Sequence, residues 1–130
     1  MEIYEALTTY LLTQTGLTAL IGNRIYPDEA PEGETLPYVV YINISDVKDH
    51  LFTGQQTLER PVYQYTVYAA DKDAASDVAE QIKSALSEYS GTMSGITVQY
   101  IGLMNELASR DRELKIYYHD LEYEVFFIKS

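Results

Sequence analysis

Val62-Tyr63-Gln64-Tyr65-Thr66-Val67-Tyr68-Ala69-Ala70, followed at once by Asp71-Lys72-Asp73 and an alanine-rich run to Tyr89, decides the fold. The first nine residues are dense in β-branched and aromatic side chains and read as a strand. Asp71 to Asp73 supplies helix-start residues, because a short carboxylate can accept from the free amides of a first turn. Beyond them Ala75, Val78, Ala79, Ile82, Ala85, Leu86 and Tyr89 recur at the spacing of one helical face. Gly91 is expected to end that helix. A strand running directly into a helix is the unit around which the rest of the chain arranges itself.

Upstream, Tyr38 to Ser45 predicts another strand, with Tyr38, Val40, Ile42 and Ile44 on one face and Val39, Tyr41, Asn43 and Ser45 on the other. Between the two strands lies a polar stretch, Asp46 to Glu59, long for a hairpin loop and broken by the apolar pair Leu51-Phe52. Further back, Glu2 to Thr15 predicts an amphipathic helix capped by Gly16, and Thr18 to Ile21 a short helical turn. Asp28 to Glu34 is acidic, carries Pro31 and Gly33, and reads as a loop. Downstream, Ile96 to Glu106 predicts a strand bent at Gly102, Ala108 to Glu113 a charged turn, and Leu114 to Ile128 a long strand or pair of strands. Parallel crossovers would need a helix after each strand, and these are lacking. The expectation is an α+β fold: one domain over residues 1–130, with an about four-stranded, mainly antiparallel sheet and two helices packed on one face.

Composition narrows the function classes. Nine basic against twenty acidic residues give a net charge of −11. Sequence-specific or wrapping contacts to nucleic acid need dense lysine and arginine, so neither is expected. An anionic membrane is disfavoured on the same ground, and no apolar run approaches the ~20 residues of a membrane span. The start, Met1-Glu2-Ile3-Tyr4-Glu5, lacks the basic opening of a signal peptide, and the expectation is a protein made in the cytoplasm. With no cysteine there is no disulfide frame, thiolate zinc site or cysteine nucleophile. The thirteen tyrosines suit strands and interfaces, where a ring can be dry at one end and wet at the other.

No set of residues points to catalysis, and neither an enzyme nor a cofactor is expected. His50 and His119 have no metal-ligand spacing around them; His119 is expected to make a cross-strand contact, and His50 to lie exposed in the long loop. Asp120, Glu122 and Glu124 point the same way from one strand. Such a row could take a hard cation, but its alternation with Leu121, Tyr123 and Val125 reads as a solvated face. Gly91-Thr92-Met93-Ser94-Gly95 lacks the Lys-Ser/Thr of a phosphate loop and reads as a turn. Arg110-Asp111-Arg112 reads as a self-compensating hairpin turn.

The order Leu17-Thr18-Ala19-Leu20-Ile21-Gly22-Asn23-Arg24-Ile25-Tyr26-Pro27, a variable loop, then Leu36-Pro37-Tyr38-Val39-Val40-Tyr41 resembles the tail-completion and tail-terminator family of long-tailed bacteriophages and prophages. The likeness spans about the first 90 residues, and the remainder matches as strands only. It implies a structural virion protein at the head-proximal end of the tail. Such a protein forms a ring of its own copies, typically a hexamer, on the tail tube protein, stops tube growth and meets the head-completion or connector protein. Within the resemblance, Arg24 and Tyr26 are interface candidates, joined by Leu51 and Phe52 as apolar anchors. Asp120, Glu122 and Glu124 are candidates for an acidic lumen, as is the loop Asp28 to Glu34, since like charge lets DNA pass without sticking. Two alternatives stand beside this reading: a connector or head-completion protein on the portal side, and a small metal- or ligand-binding accessory domain.

Overall fold

A computed structural model describes residues 2–46, 48–50 and 57–129, with side chains placed for residues 2–46 and 58–128. The strand–helix unit forms as its sequence dictates. Strand β5 (Val62–Ala69) leads into helix α3 (Lys72–Leu86), and the Asp71 carboxylate accepts from the Ala74 amide at 2.8 Å. Helix α3 buries Ala75, Val78, Ala79, Ile82, Ala85 and Leu86. It ends at Leu86, with Ser87 as its cap, so Tyr89 lies beyond the helix and packs against the core from there.

The N-terminal segment is two helices, α1 (Ile3–Leu12) and α2 (Thr15–Ile21), rather than one helix and a turn. Gly16 does not cap α1, which ends at Thr13; it sits inside α2. A Cβ there would run into the Gln81 side-chain amide, so this glycine leaves room for that side chain of α3. Gly22 closes α2 at φ 62°, ψ −122°, a conformation that only glycine adopts without strain.

The sheet has eight strands where about four were expected, and three helices accompany it where two were expected. Short strands account for most of the difference. Strands β1 (Ile25–Pro27), β3 (Lys48–His50), β4 (Thr57–Glu59) and β6 (Gly91–Met93) have three residues each, too few to display a period of two. The order β1-β2-β5-β8 runs through β2 (Tyr38–Ser45) to the central β8 (Ile116–Lys129). β1 lies parallel to β2, and the remaining pairs are antiparallel. β3 and β4 fall within the stretch read as one long loop, and β4 pairs with the end of β8. His50 therefore belongs to β3.

On its other side β8 pairs with β7 (Ile96–Asp111), which runs five residues beyond the expected strand end and takes up most of the expected turn. Register shifts between Val98 and Tyr100 and between Leu103 and Asn105 flank Gly102, where the bend was expected. They also break the strict alternation that would have shown a strand this long.

One face of the sheet carries the core. Tyr63, Tyr65 and Val67 of β5 and Leu121, Tyr123 and Val125 of β8 alternate inward against the helices, and all six are buried. The residues between them, including Gln64, Thr66, Asp120, Glu122 and Glu124, lie on the face away from the helices. Among the described residues, no strand pairs with β7 beyond Val98 on the side away from β8.

Candidate functional site

The sheet presents three surfaces: the β1 edge, the open face and the β7–β8 hairpin. At the β1 edge, Arg24 donates from Nε to the Pro37 carbonyl at 3.0 Å and from Nη2 to the Leu20 carbonyl at 3.4 Å. The guanidinium thus ties the loop that follows β1 to the end of α2, since its fork matches two carbonyls at once. Tyr26 donates its hydroxyl to the Glu34 carboxylate, which also accepts from the Thr35 amide at 2.7 Å. These bonds, the Tyr26 hydroxyl first, hold the Glu34 carboxyl below the usual carboxylate range. Arg24 and Tyr26 are therefore engaged within the chain, and their geometry braces the loop. Asp28, Glu29 and Glu32 point from that braced loop into solvent.

The open face carries Asp120, Glu122 and Glu124 in the expected row, each half-buried. Asp120 accepts from the Thr66 hydroxyl at 2.7 Å across β5 and β8. The row opens beside a groove of about 340 Å3 lined by Tyr38, Thr66, Tyr68, Tyr118 and Asp120. Among the described residues, no group of three or more His, Asp or Glu is placed to hold a metal ion. Leu51 and Phe52 lie outside the described residues.

The hairpin is the surface that sequence reasoning missed. Of the nine large apolar side chains exposed among the described residues, five belong to it: Tyr100, Leu103, Met104, Leu107 and Leu114. One strand signal pointed there, because a β8 of fourteen residues needs a partner of comparable length. At the turn, the Asp111 carboxylate accepts from the Glu113 and Leu114 amides, each at 3.1 Å. It caps the turn instead of compensating Arg110 and Arg112. Arg110 lies over the Tyr117 ring, 5.3 Å from its centroid. A cleft of about 330 Å3 opens between this part of the hairpin and the start of α3, lined by Lys72, Ser76, Ser109, Arg110, Tyr117 and His119.

Behind the cleft, His119 makes its cross-strand contact, to Glu106 at 2.5 Å, and Lys83 of α3 reaches the same carboxylate at 3.1 Å and Glu80 at 2.8 Å. Burial pushes the Glu106 carboxyl up, but hydrogen bonds from Lys83 and His119 outweigh it and hold the group below its ordinary value. The hydrogen bonds that Lys83 donates to Glu80 and then to Glu106 raise its own pKa. A lowered carboxyl stabilises the fold above its ordinary pKa, and that contribution is lost as pH falls through the lowered value. Glu106→Gln should therefore cost at most about 1 kcal/mol at neutral pH, and the gap to wild type should close on acidification below the carboxylate range. Melting temperature against pH checks this; parallel curves down to acid pH would contradict it.

Among the described residues, no helix is long and apolar enough to cross a membrane. No curated protein matches the chain. A chain of a solved structure described as the virion of a native gene transfer agent particle matches over 97% of both chains, with a TM-score of 0.71 and 21% identity. That likeness concerns the fold. A protein family described as tail completion protein gp17 matches residues 5–128.

Proposed function

The chain belongs to the tail completion protein gp17 family, which makes it a structural component of a phage tail, and from that premise we propose that it closes the head-proximal end of the tail tube as a ring. The family match over residues 5–128 carries the reading, since it covers nearly the entire chain. In this role the protein adds copies of itself around the last turn of tube protein, buries the edge that another tube subunit would extend, and presents its far side to the head-completion protein. A closed ring is the geometric means of ending polymerisation, because it leaves no unsatisfied edge.

Two features of the geometry support the reading. Beyond Val98 the β7 edge is long, apolar and without a strand partner among the described residues, the kind of edge that native proteins cover or pair. The acidic row Asp120, Glu122 and Glu124 lies on a face that no helix covers among the described residues, where it can line a DNA passage without binding it.

The test combines size exclusion with light scattering and a tube-growth assay using purified tail tube protein. The expected result is a closed ring, in free solution or at tube ends, together with tubes that stop lengthening once the protein is added. Tubes that lengthen unchanged would overturn the reading. Capture by purified portal-side proteins but not by tubes would assign the chain to the connector.

A further inference from the structure

Nine lysines and arginines are set against twenty acidic residues, and four of the nine lie at the start of α3 and around the tip of the β7–β8 hairpin, two of them in one cleft. Lys72 opens α3, while Arg110, Arg112 and Lys115 surround the tip of the β7–β8 hairpin. None of the four forms an ion pair among the described residues. The nearest carboxylates in sequence, Asp71, Asp73, Asp111 and Glu113, form no ion pair with them among the described residues, and two are directed at backbone amides, Asp71 at Ala74 and Asp111 at Glu113 and Leu114. Between Lys72 and Arg110 lies the cleft of about 330 Å3, with the Ser76 and Ser109 hydroxyls in its wall. Two cations and two hydroxyls around one cleft suit a carboxylate ligand, because charge-assisted hydrogen bonds are the strong ones.

The matching acids are on the same chain. Asp28, Glu29 and Glu32 stand exposed on the loop after β1, and the bonds from Arg24 and Tyr26 fix that loop in place. The loop belongs to the β1 edge and the cleft to the β7 edge. The loop leaves β1 after Pro27, in the row of Tyr41, Tyr65, Leu121 and Glu106, and rejoins the sheet at Tyr38, in the row of Tyr68, Tyr118 and Ser109, so its ends bracket the level of the cleft wall at Ala108 and Ser109. Four strand spacings, roughly 19 Å, separate these opposite edges, so the loop cannot reach the cleft of its own chain. A second copy placed side by side reaches it directly. Acid on one lateral edge and base on the other is a head-to-tail arrangement, and head-to-tail contacts that close on themselves make rings.

We propose that the cleft between α3 and the β7–β8 hairpin seats the acidic loop, Asp28 to Glu34, of a second copy of this chain, with Lys72 and Arg110 meeting Asp28, Glu29 and Glu32. This deepens the ring reading and rests on it. It also moves the acidic loop from the lumen to the contact between neighbours.

The experiment uses two full-length variants, Lys72→Glu/Arg110→Glu and Asp28→Lys/Glu29→Lys/Glu32→Lys. Because all five side chains are exposed, both should fold with circular dichroism like wild type, and only the loss of the Arg110–Tyr117 contact should lower the melting temperature slightly. Each variant alone should self-associate at least about tenfold more weakly than wild type, since like charges then face each other. An equimolar mixture should regain association as alternating copies, because each reversed surface then meets its complement. Wild-type association should fall with added salt. Rings that form equally well in both separate variants would overturn this contact and leave the ring reading standing, as would weakening that the mixture does not rescue. Wild-type chains that stay monomeric at high concentration and at tube ends would overturn both.

Discussion

Tyr65→Ala is expected to destabilise the folded chain by about 3–5 kcal/mol, the range for removing a large ring from a packed core. Tyr65 is among the largest fully buried side chains and sits in the middle of β5. Its ring lies 5.8 Å from that of Tyr41 and 6.5 Å from that of Tyr123, so its loss opens a void under three strands at once. A small domain is stable by only about 5–15 kcal/mol, so this one change removes a large share. Tyr65→Phe should behave in the opposite sense. The Tyr65 hydroxyl is buried without a hydrogen-bond partner among the described residues, and burial pushes its pKa well above the ordinary phenol value. Removing an unsatisfied buried hydroxyl while keeping the ring should leave stability unchanged or raise it by about 1 kcal/mol. Urea midpoints for the two variants check both statements together. A Tyr65→Phe protein as damaged as Tyr65→Ala would show that the hydroxyl, not the ring, holds the centre of the sheet.

The parts of this fold that were legible in the sequence are those where one physical signal acted alone. Helix α3 was readable because Asp71 caps it and its apolar residues keep one period throughout. The two faces of β8 were readable because Leu121, Tyr123 and Val125 alternate with carboxylates. Signals failed where two of them overlapped or where an element was too short. Gly16 looked like a cap because glycine usually has that role, whereas here it leaves room for the side chain of Gln81, 65 positions away. Strand β7 was read short because register shifts around Gly102 interrupt its alternation. Arg110 and Asp111 looked mutually compensating because they are adjacent, yet adjacent residues on a strand point to opposite faces.

The candidate site shows the same division more sharply. Arg24 and Tyr26 stood out in the sequence, but their partners Pro37, Leu20 and Glu34 come from the way the chain folds back beside β2. The cleft between Lys72 and Arg110 was not readable, because nothing in a linear sequence brings residue 72 beside residue 110. What places them together is the pairing of β7 with β8 and the packing of α3 on both β5 and β8. Function is thus divided between a fixed scaffold, whose rules are local, and surfaces that exist only after long-range pairing.

That division leads to the second large effect, on the hairpin. The double variant Met104→Asp/Leu107→Asp is expected to leave the isolated chain as stable as wild type while weakening ring assembly by more than about a hundredfold. Met104 is 57% exposed and Leu107 55%, so neither contributes much packing to the monomer. Substitutions at such positions usually change stability by no more than about 0.5 kcal/mol each. In the proposed ring, the same side chains would lie on the hairpin that meets the neighbouring copy, where apolar groups form the dry centre of a contact and charges its rim. Burying two carboxylates there costs several kcal/mol in place of the gain from burying a methionine and a leucine, and each 1.4 kcal/mol is a factor of ten in association. Melting temperature and light scattering on the same sample separate the two effects. Normal folding with lost association would place these apolar groups inside the contact. Normal folding with unchanged rings would mean that the hairpin's apolar edge faces solvent even in the assembly.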